Sequence, residues 1–221
     1  MAEPFDDLIE IHSSSSSQNT GEGIVIDIGT GDGLFVYELA RANPNKFYIG
    51  VDANPRPLEK ISEKIHRRPT KGGLPNVLFL QAAIEDLPAE LDGIANEVHV
   101  HFPWGSLLAI VARGDLDGLR NLRRIMAPAG LLEIVIGLDP GRDESEIKRL
   151  GIQSLDLTFI SSELAPRYRE SGFEILEAGI GGPEMWSQLK TSWEKRLRGN
   201  QSRSLLYVVA QAIQEKPASE S

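Results

Sequence analysis

The sequence predicts an α/β fold built on a doubly wound, mostly parallel sheet. Two observations predict it: short β-rich runs alternate with segments of helical spacing, and a glycine-rich turn joins the first run to the first helix. Strands that alternate with helices at such intervals pair in parallel through right-handed crossovers, which lays helices over both faces of the sheet. At 221 residues, with 41% apolar and 25% charged side chains, the chain suits one domain of that kind around a single core.

Residues 1–23 contain a five-serine run, Ser13 to Ser17, followed by QNTGEG, and read as a flexible N-terminal arm. The domain is expected over 24–213, with 214–221 as a frayed tail. IVIDI (Ile24 to Ile28) is the first strand, and Leu34 to Ala42 the first helix. FYIGVD (Phe47 to Asp52) is the second strand, followed by a helix over Pro55 to Arg67 with Leu58, Ile61 and Ile65 on one face. NVLFLQ (Asn76 to Gln81) is the third, leading to a short helical or loop segment near Ile84 to Leu91. EVHVHF (Glu97 to Phe102) is the fourth, and a helix from Leu116 to Met126 is closed by Pro128 and Gly130. LLEIVIGL (Leu131 to Leu138) is the fifth. A helix from about Ser161 to Ser171, a strand at FEILEAGI, a polar segment through TSWEKRLR and a final strand at SLLYVVAQA complete the pass. A strand directly after such a segment can enter as a reversed hairpin partner, and the count of strands reaches seven.

Composition removes several classes of function. Cysteine is absent, so disulfides, thiolate nucleophiles and zinc–thiolate sites are excluded, and no metal site is read. No run approaches the roughly 18 apolar residues of a membrane span, and the acidic opening MAEPFDDLIEIH lacks the basic start of a signal peptide, so a cytoplasmic setting is expected. A net charge of -9 argues against a nucleic-acid partner until its distribution is inspected. KIHRRPTK holds Lys64, Arg67, Arg68 and Lys71 without an acid. Between Lys190 and Arg203 stand Lys190, Lys195, Arg196, Arg198 and Arg203 against Glu194 alone. Brought to one face, the two segments make a basic patch on an acidic body.

The turn DIGTGDG (Asp27 to Gly33) is spaced GxGxG, with Gly29, Gly31 and Gly33 allowing close backbone approach to a ligand. Glycine turns of this kind serve NAD, flavins and S-adenosylmethionine alike, and the acids decide among them. A dinucleotide places its pyrophosphate at the helix N-terminus, where Asp27 and Asp32 repel it. S-adenosylmethionine carries an ammonium and a sulfonium and no phosphate, so the same carboxylates attract it. Asp52 stands 23 residues after Gly29, at the end of the second strand, where a carboxylate accepts both ribose hydroxyls. Glu85 follows the third strand, where such folds hold the adenine.

HFPWGSLL places Phe102, Pro103 and Trp104 at the ligand edge of the fourth strand. Trp193 sits in the second basic cluster, and two indoles can sandwich a flipped nucleobase. No general-base constellation stands out, and adenine N1 needs none: its in-plane lone pair attacks the sulfonium methyl directly once positioned. His99 and His101 alternate on the fourth strand and read as sheet residues.

DIGTGDG, KGGLPN (Lys71 to Asn76), FPWGSLL (Phe102 to Leu108) and TSWEKRL (Thr191 to Leu197) together resemble the Kam family of aminoglycoside-resistance methyltransferases, over roughly Ile24 to Ala212. The resemblance implies a Rossmann-like class I methyltransferase, its seven-stranded sheet mostly parallel with the last strand antiparallel, that methylates N1 of adenine 1408 of 16S ribosomal RNA in the assembled 30S subunit. It matches Trp104 and Trp193 to the base-stacking pair, with Phe102 and Pro103 beside them. It also matches Asp27, Gly29, Thr30, Gly31, Asp32, Asp52, Ala53, Ile84, Glu85, Ser106 and Thr191 to the surroundings of S-adenosylmethionine. Arg67, Arg68, Lys71, Arg196 and Arg203 match basic positions that dock on RNA, and the region Asp139 to Gly151 matches a variable linker with Arg142, Lys148 and Arg149 as further contacts. The chain departs from the family in its acidic, serine-rich arm and at Gln201, where a relative carries a basic residue. A monomer is the expected state. Two alternatives stay open: a tRNA guanine-N7 methyltransferase, whose proline–tryptophan segment runs on into basic residues and not into GSLLAIVA, and a non-catalytic module that binds RNA or a nucleoside cofactor.

Overall fold

The computed structural model describes residues 23–153, 155–181 and 204–214. Among these residues the strands are β1 (Ile24–Ile28), β2 (Phe47–Asp52), β3 (Val77–Gln81), β4 (Ala95–His101), β5 (Met126–Leu138), β6 (Phe173–Gly181) and β7 (Ser204–Ala212). They form one sheet in the order β3-β2-β1-β4-β5-β7-β6. β1 pairs in parallel with β2 and β4, β2 with β3, and β4 with β5. β7 runs antiparallel to both neighbours, wedged between β5 and β6. The chain reverses its direction of travel across the sheet between β1 and β4, and the crevice outside the C-terminal ends of those two strands is where ligands bind in folds of this kind.

The helices are α1 (Leu34–Ala42), α2 (Glu59–Ile65), α3 (Gly105–Arg113), α4 (Leu116–Ile125), α5 (Glu144–Leu150), α6 (Leu157–Phe159) and α7 (Ala165–Glu170), with a π-helical turn at Ile160–Leu164 joining the last two. On one face of the sheet Val36, Tyr37 and Ala40 of α1 and Ile61 and Ile65 of α2 cluster with Val25, Tyr48 and Val77. The larger core lies on the other face, where Val98, Val100, Leu132 and Ile134 cluster with Leu108, Leu119, Leu122 and Tyr168. Tyr168 is fully buried, donates its hydroxyl to the Val111 carbonyl at 3.0 Å, and has its phenol pushed well above the ordinary range by that burial.

The expected strands all form, and the differences have local causes. The helix expected over Pro55 to Arg67 opens as a 3₁₀ turn at Arg56–Leu58 and ends at Ile65, since Pro69 forces Arg68 out of the helical region to φ -59°, ψ 146°. Asn76 stands outside β3 because its amide donates to the carbonyls of Ala40 and Lys46 at 2.9 and 3.0 Å, tying the start of β3 to the α1–β2 turn. The Ile84 to Leu91 segment resolves into two 3₁₀ turns. β5 starts at Met126, directly where α4 stops, and no separate loop intervenes. The helix expected from Ser161 begins at Leu157 because Asp156 caps it, its carboxylate accepting from the Phe159 N–H at 2.8 Å. The expected linker Asp139 to Gly151 contains α5, which ends on Gly151 at φ 62°. No helix among the described residues is long and apolar enough to cross a membrane.

Candidate active site

The crevice at the C-terminal ends of β1, β2 and β4 is a cleft of about 320 Å³. Its first lip is the turn between β1 and α1. Gly29, Gly31 and Gly33 stand at φ 79°, 61° and 69°, a region that costs an L side chain strain and glycine nothing. The Gly29 and Thr30 N–H groups both donate to the Val51 carbonyl, at 2.8 and 3.1 Å, so the turn is held against the end of β2. A Cβ on Gly29 would stand 2.7 Å from the Leu107 side chain across the cleft, and one on Gly31 would enter open space. The backbone thus leaves room where a ligand lies against it.

Asp52 closes β2. Its Oδ2 accepts from the Gly31 N–H at 2.8 Å and its Oδ1 from the Asn54 N–H at 2.8 Å, which fixes the carboxylate while each oxygen retains a lone pair directed outward. Two such acceptors on one rigid group suit the vicinal hydroxyls of a ribose. Ala53, Ile84, Glu85 and Ser106 also line the cleft, and Glu85 is exposed on the 3₁₀ turn after β3.

The second lip is Phe102–Gly105, between β4 and α3. Phe102 adopts φ 50°, a conformation that strains a non-glycine residue, while its N–H donates to the Val135 carbonyl at 2.7 Å and its ring packs on Gly137. Strain of this kind persists only where the surroundings impose it, and here it turns the chain so that buried Phe102 and Pro103 are followed by an outward Trp104. The indole of Trp104 is 47% exposed at the mouth of the cleft.

Asp27 does not line the cleft. It is 5% exposed beneath the glycine turn, and burial pushes its carboxyl up to about 6, a rise that nearby His101 and the Thr30 hydroxyl oppose. His101 Nε2 lies 2.6 Å from Glu133 Oε1, and the His99 and His101 rings stack at 5.1 Å, so both histidines are packed sheet residues as expected. Thr30 is likewise buried, and Asp32 caps the local turn by accepting from the Leu34 N–H at 3.2 Å.

The structure therefore brings Gly29, Gly31, Asp52, Ala53, Ile84, Glu85, Phe102, Pro103, Trp104 and Ser106 to one cleft, leaves Asp27 and Thr30 buried behind its wall, and places half-buried Asp32 outside the lining. Arg67, Arg68 and Lys71 are exposed on the linker between α2 and β3, which packs against α1 through the Tyr37 hydroxyl on the Gly72 carbonyl at 3.0 Å, and none of the three lines the cleft. Trp193, Thr191, Arg196 and Arg203, and the N-terminal arm, lie outside the described residues. Sequence reasoning missed Asn54, Pro57, Ala82 and Leu107 as lining. Asn54 was the findable one, since a polar residue two places after a strand-ending aspartate forms a turn that the aspartate itself caps. No group of three or more potential metal ligands occurs among the described residues.

A seven-stranded sheet with this one reversed strand, and a glycine turn held to the carboxylate that ends β2, define a class I, S-adenosylmethionine-dependent methyltransferase. More narrowly, the chain belongs to the NpmA family, described as 16S rRNA (adenine(1408)-N(1))-methyltransferase, whose model matches residues 9–212. An Escherichia coli protein of that description is 39% identical over 184 residues, which are 83% of this chain and 84% of the relative. The crystal structure of the aminoglycoside-resistance methyltransferase NpmB1 superposes with a TM-score of 0.75 at 42% identity, covering 92% of this chain and 93% of that one. A tryptophan-to-alanine variant of the Catenulisporales acidiphilia 16S rRNA (adenine(1408)-N(1))-methyltransferase, solved with cosubstrate S-adenosylmethionine, superposes with a TM-score of 0.79 at 31% identity, covering 93% of this chain and 92% of that one.

Proposed function

We propose that this chain methylates N1 of adenine 1408 in 16S ribosomal RNA, acting on the assembled 30S subunit as a cytoplasmic monomer and conferring aminoglycoside resistance. The observation that carries the reading is Trp104. A family relationship supplies the reaction's name, and an exposed indole at the mouth of a nucleoside-binding cleft supplies a surface on which a base extruded from RNA stacks, an interaction worth about 1–3 kcal/mol.

When bound, S-adenosylmethionine supplies an electrophilic methyl on a sulfonium. Adenine N1 presents an in-plane lone pair, so no side chain has to withdraw a proton from it, and the protein's work is orientation and exclusion of water. In this reading Asp52 receives the ribose hydroxyls, Glu85 the adenine amine of the cofactor, and Ser106 and Thr191 border the same ligand. Buried Asp27 acts through the glycine turn above it. Trp104 holds one face of the target base and Trp193 the other, with Phe102 and Pro103 setting the direction of Trp104. Arg67, Arg68, Lys71, Arg196 and Arg203 neutralise RNA phosphates, and a single domain over 24–213 carries all of these roles.

Incubating small subunits with labelled S-adenosylmethionine and mapping the modified base by primer extension tests the proposal. A stop at adenine 1408 is the expected result. Incorporation only into tRNA would select the guanine-N7 reading, and no incorporation into any RNA would leave the non-catalytic module. Trp193→Ala should abolish methylation and leave calorimetric cofactor binding intact.

A further inference from the structure

The cleft and the cationic linker stand at opposite ends of one short helix. Asn54 and Pro57 line the cleft just before α2, and Arg67, Arg68 and Lys71 follow its C-terminal end. Between the two, the sequence sets a cation at every fourth residue: Arg56, Lys60, Lys64 and Arg68. Residues four apart on a helix lie in one row, so the first three form a ridge along α2 and the fourth continues it into the linker. Leu58, Ile61 and Ile65 bury the other side of the helix, which leaves Arg56 and Lys60 exposed to solvent. The start of the ridge is fixed to the cleft. Asp52 Oδ1 accepts from the Asn54 N–H at 2.8 Å, and Asn54 Oδ1 accepts from the Arg56 N–H at 3.2 Å, two successive turns that tie the backbone of Arg56 to the carboxylate closing β2. Further along, Lys64 leans on α1, with its Nζ 3.8 Å over the Tyr37 ring. Arg56 and Lys60 are engaged by no such group: among the described residues neither forms an ion pair, although Glu59 and Glu63 stand in the adjoining row.

We propose that Arg56 and Lys60 bind phosphates of the RNA strand that carries the target adenine, extending the docking surface from Arg67, Arg68 and Lys71 along α2 to the rim of the cleft. Like charges four apart repel and weaken a helix, so the row gives α2 nothing by itself. A polyanion laid along it reverses that sign. Successive cations of the row are ~6 Å apart along the axis, a step that consecutive phosphates of one strand can follow. On a chain of net charge -9, an unpaired row of this kind also concentrates attraction where the body of the protein repels RNA. The two residues dock the strand and take no part in the chemistry.

The inference rests on the reading of the chain as an adenine 1408 methyltransferase, and the absence of cysteine makes it directly testable. Arg56→Cys and Lys60→Cys each create a unique thiol for a tethered iron chelate, whose hydroxyl radicals cut only the RNA backbone close to it. On 30S subunits both should cut 16S ribosomal RNA on the strand of adenine 1408. Arg120→Cys, exposed on α4 over the other face of the sheet, should leave that strand intact. In binding assays Arg56→Ala and Lys60→Ala should each raise the Kd for 30S subunits about three- to tenfold and lower the slope of log Kd against log salt by about 0.7–0.9, one phosphate contact each, with the calorimetric Kd for S-adenosylmethionine unchanged. Arg120→Ala should move none of these. Cuts confined to other regions of the RNA, an unchanged salt slope in both variants, or an equal change in Arg120→Ala overturns the proposal. Weakened binding without cuts would assign the ridge to a protein of the subunit and overturn the phosphate contact. Wild-type protein that fails to modify adenine 1408 overturns the functional reading, a result that the cutting pattern does not depend on.

Discussion

The two lips of the cleft solve the same geometric problem in opposite ways. Both need backbone in the left-handed region at the C-terminal end of a strand. The β1–α1 lip places it on Gly29, Gly31 and Gly33, which accept it without strain, and pins the turn with N–H groups donated to Val51 and Asp52. The β4–α3 lip places it on Phe102, where it costs energy that the packed ring and the Val135 hydrogen bond hold in place. The lesson is a division of labour. A relaxed lip presents unhindered backbone to the cleft, and a strained one keeps a bulky aromatic turned outward at its mouth.

That contrast predicts which variants damage the frame and which damage turnover. The largest effect belongs to Gly33→Ala: its Cβ would fall 2.6 Å from Phe79 and 2.9 Å from Ile61 at φ 69°, and left-handed strain with overpacking should cost ~4 kcal/mol, read as a fall in the denaturation midpoint. Asp27→Asn should act in the opposite direction. Burial raises this carboxyl from 3.8 to about 6, so the folded state binds its proton more tightly than the unfolded chain, and the stability it lends is full below pH 3.8 and lost as pH rises through 6. At ~1.4 kcal/mol per pH unit the gap is worth ~3 kcal/mol, an upper bound, so the variant should melt higher than wild type at pH 8 and show no advantage at pH 3.5. A wild-type advantage at pH 8 would mean that Asp27 is held by partners stronger than its desolvation.

Trp104→Ala, on the strained lip, should lower kcat by roughly tenfold to a hundredfold, the ~2 kcal/mol of a lost stack, and leave both melting temperature and cofactor Kd where they were. A drop in cofactor affinity equal to the drop in rate would erase the distinction between the lips. The smallest effect belongs to a helix cap that lines neither lip. Asp115 caps α4 by accepting from the Gly118 N–H at 3.0 Å, and Asp115→Ala should cost ~1 kcal/mol of stability with activity unchanged at low temperature.

The relaxed lip and the frame were legible in the sequence because local signals settle them. Alternation of apolar runs marked all seven strands, and the reversal of the last was expected from the likeness to methyltransferases. What escaped were elements whose signals are tertiary or short. GSLLAIVAR became α3 although its apolar residues show no clean period, because Leu107, Leu108, Ile110, Val111 and Ala112 are all buried and a helix buried on most sides has no polar stripe to announce it. ESEIKRL became α5 from only two apolar anchors, Ile147 and Leu150, with Gly151 to end it. The position of the cleft was legible where strand ends announce it, as at Asp52 and Trp104, both of which line it. Depth along the chain is harder to read: Asp27 and Thr30 adjoin the glycine turn in sequence, yet both are buried and neither lines the cleft.

β7 enters the sheet beside β6, with Gly181 opposite Leu205 in register. Strands paired in that way bring their ends to within about 5 Å, a gap that a turn of two residues can close. The stretch numbered 182–203, which includes Thr191, Trp193, Arg196 and Arg203, therefore hangs from two neighbouring points of a finished framework. Its length and composition can drift without disturbing a single rung of the ladder. A change of length between those two points is thus separable from the folding of the sheet that bears them.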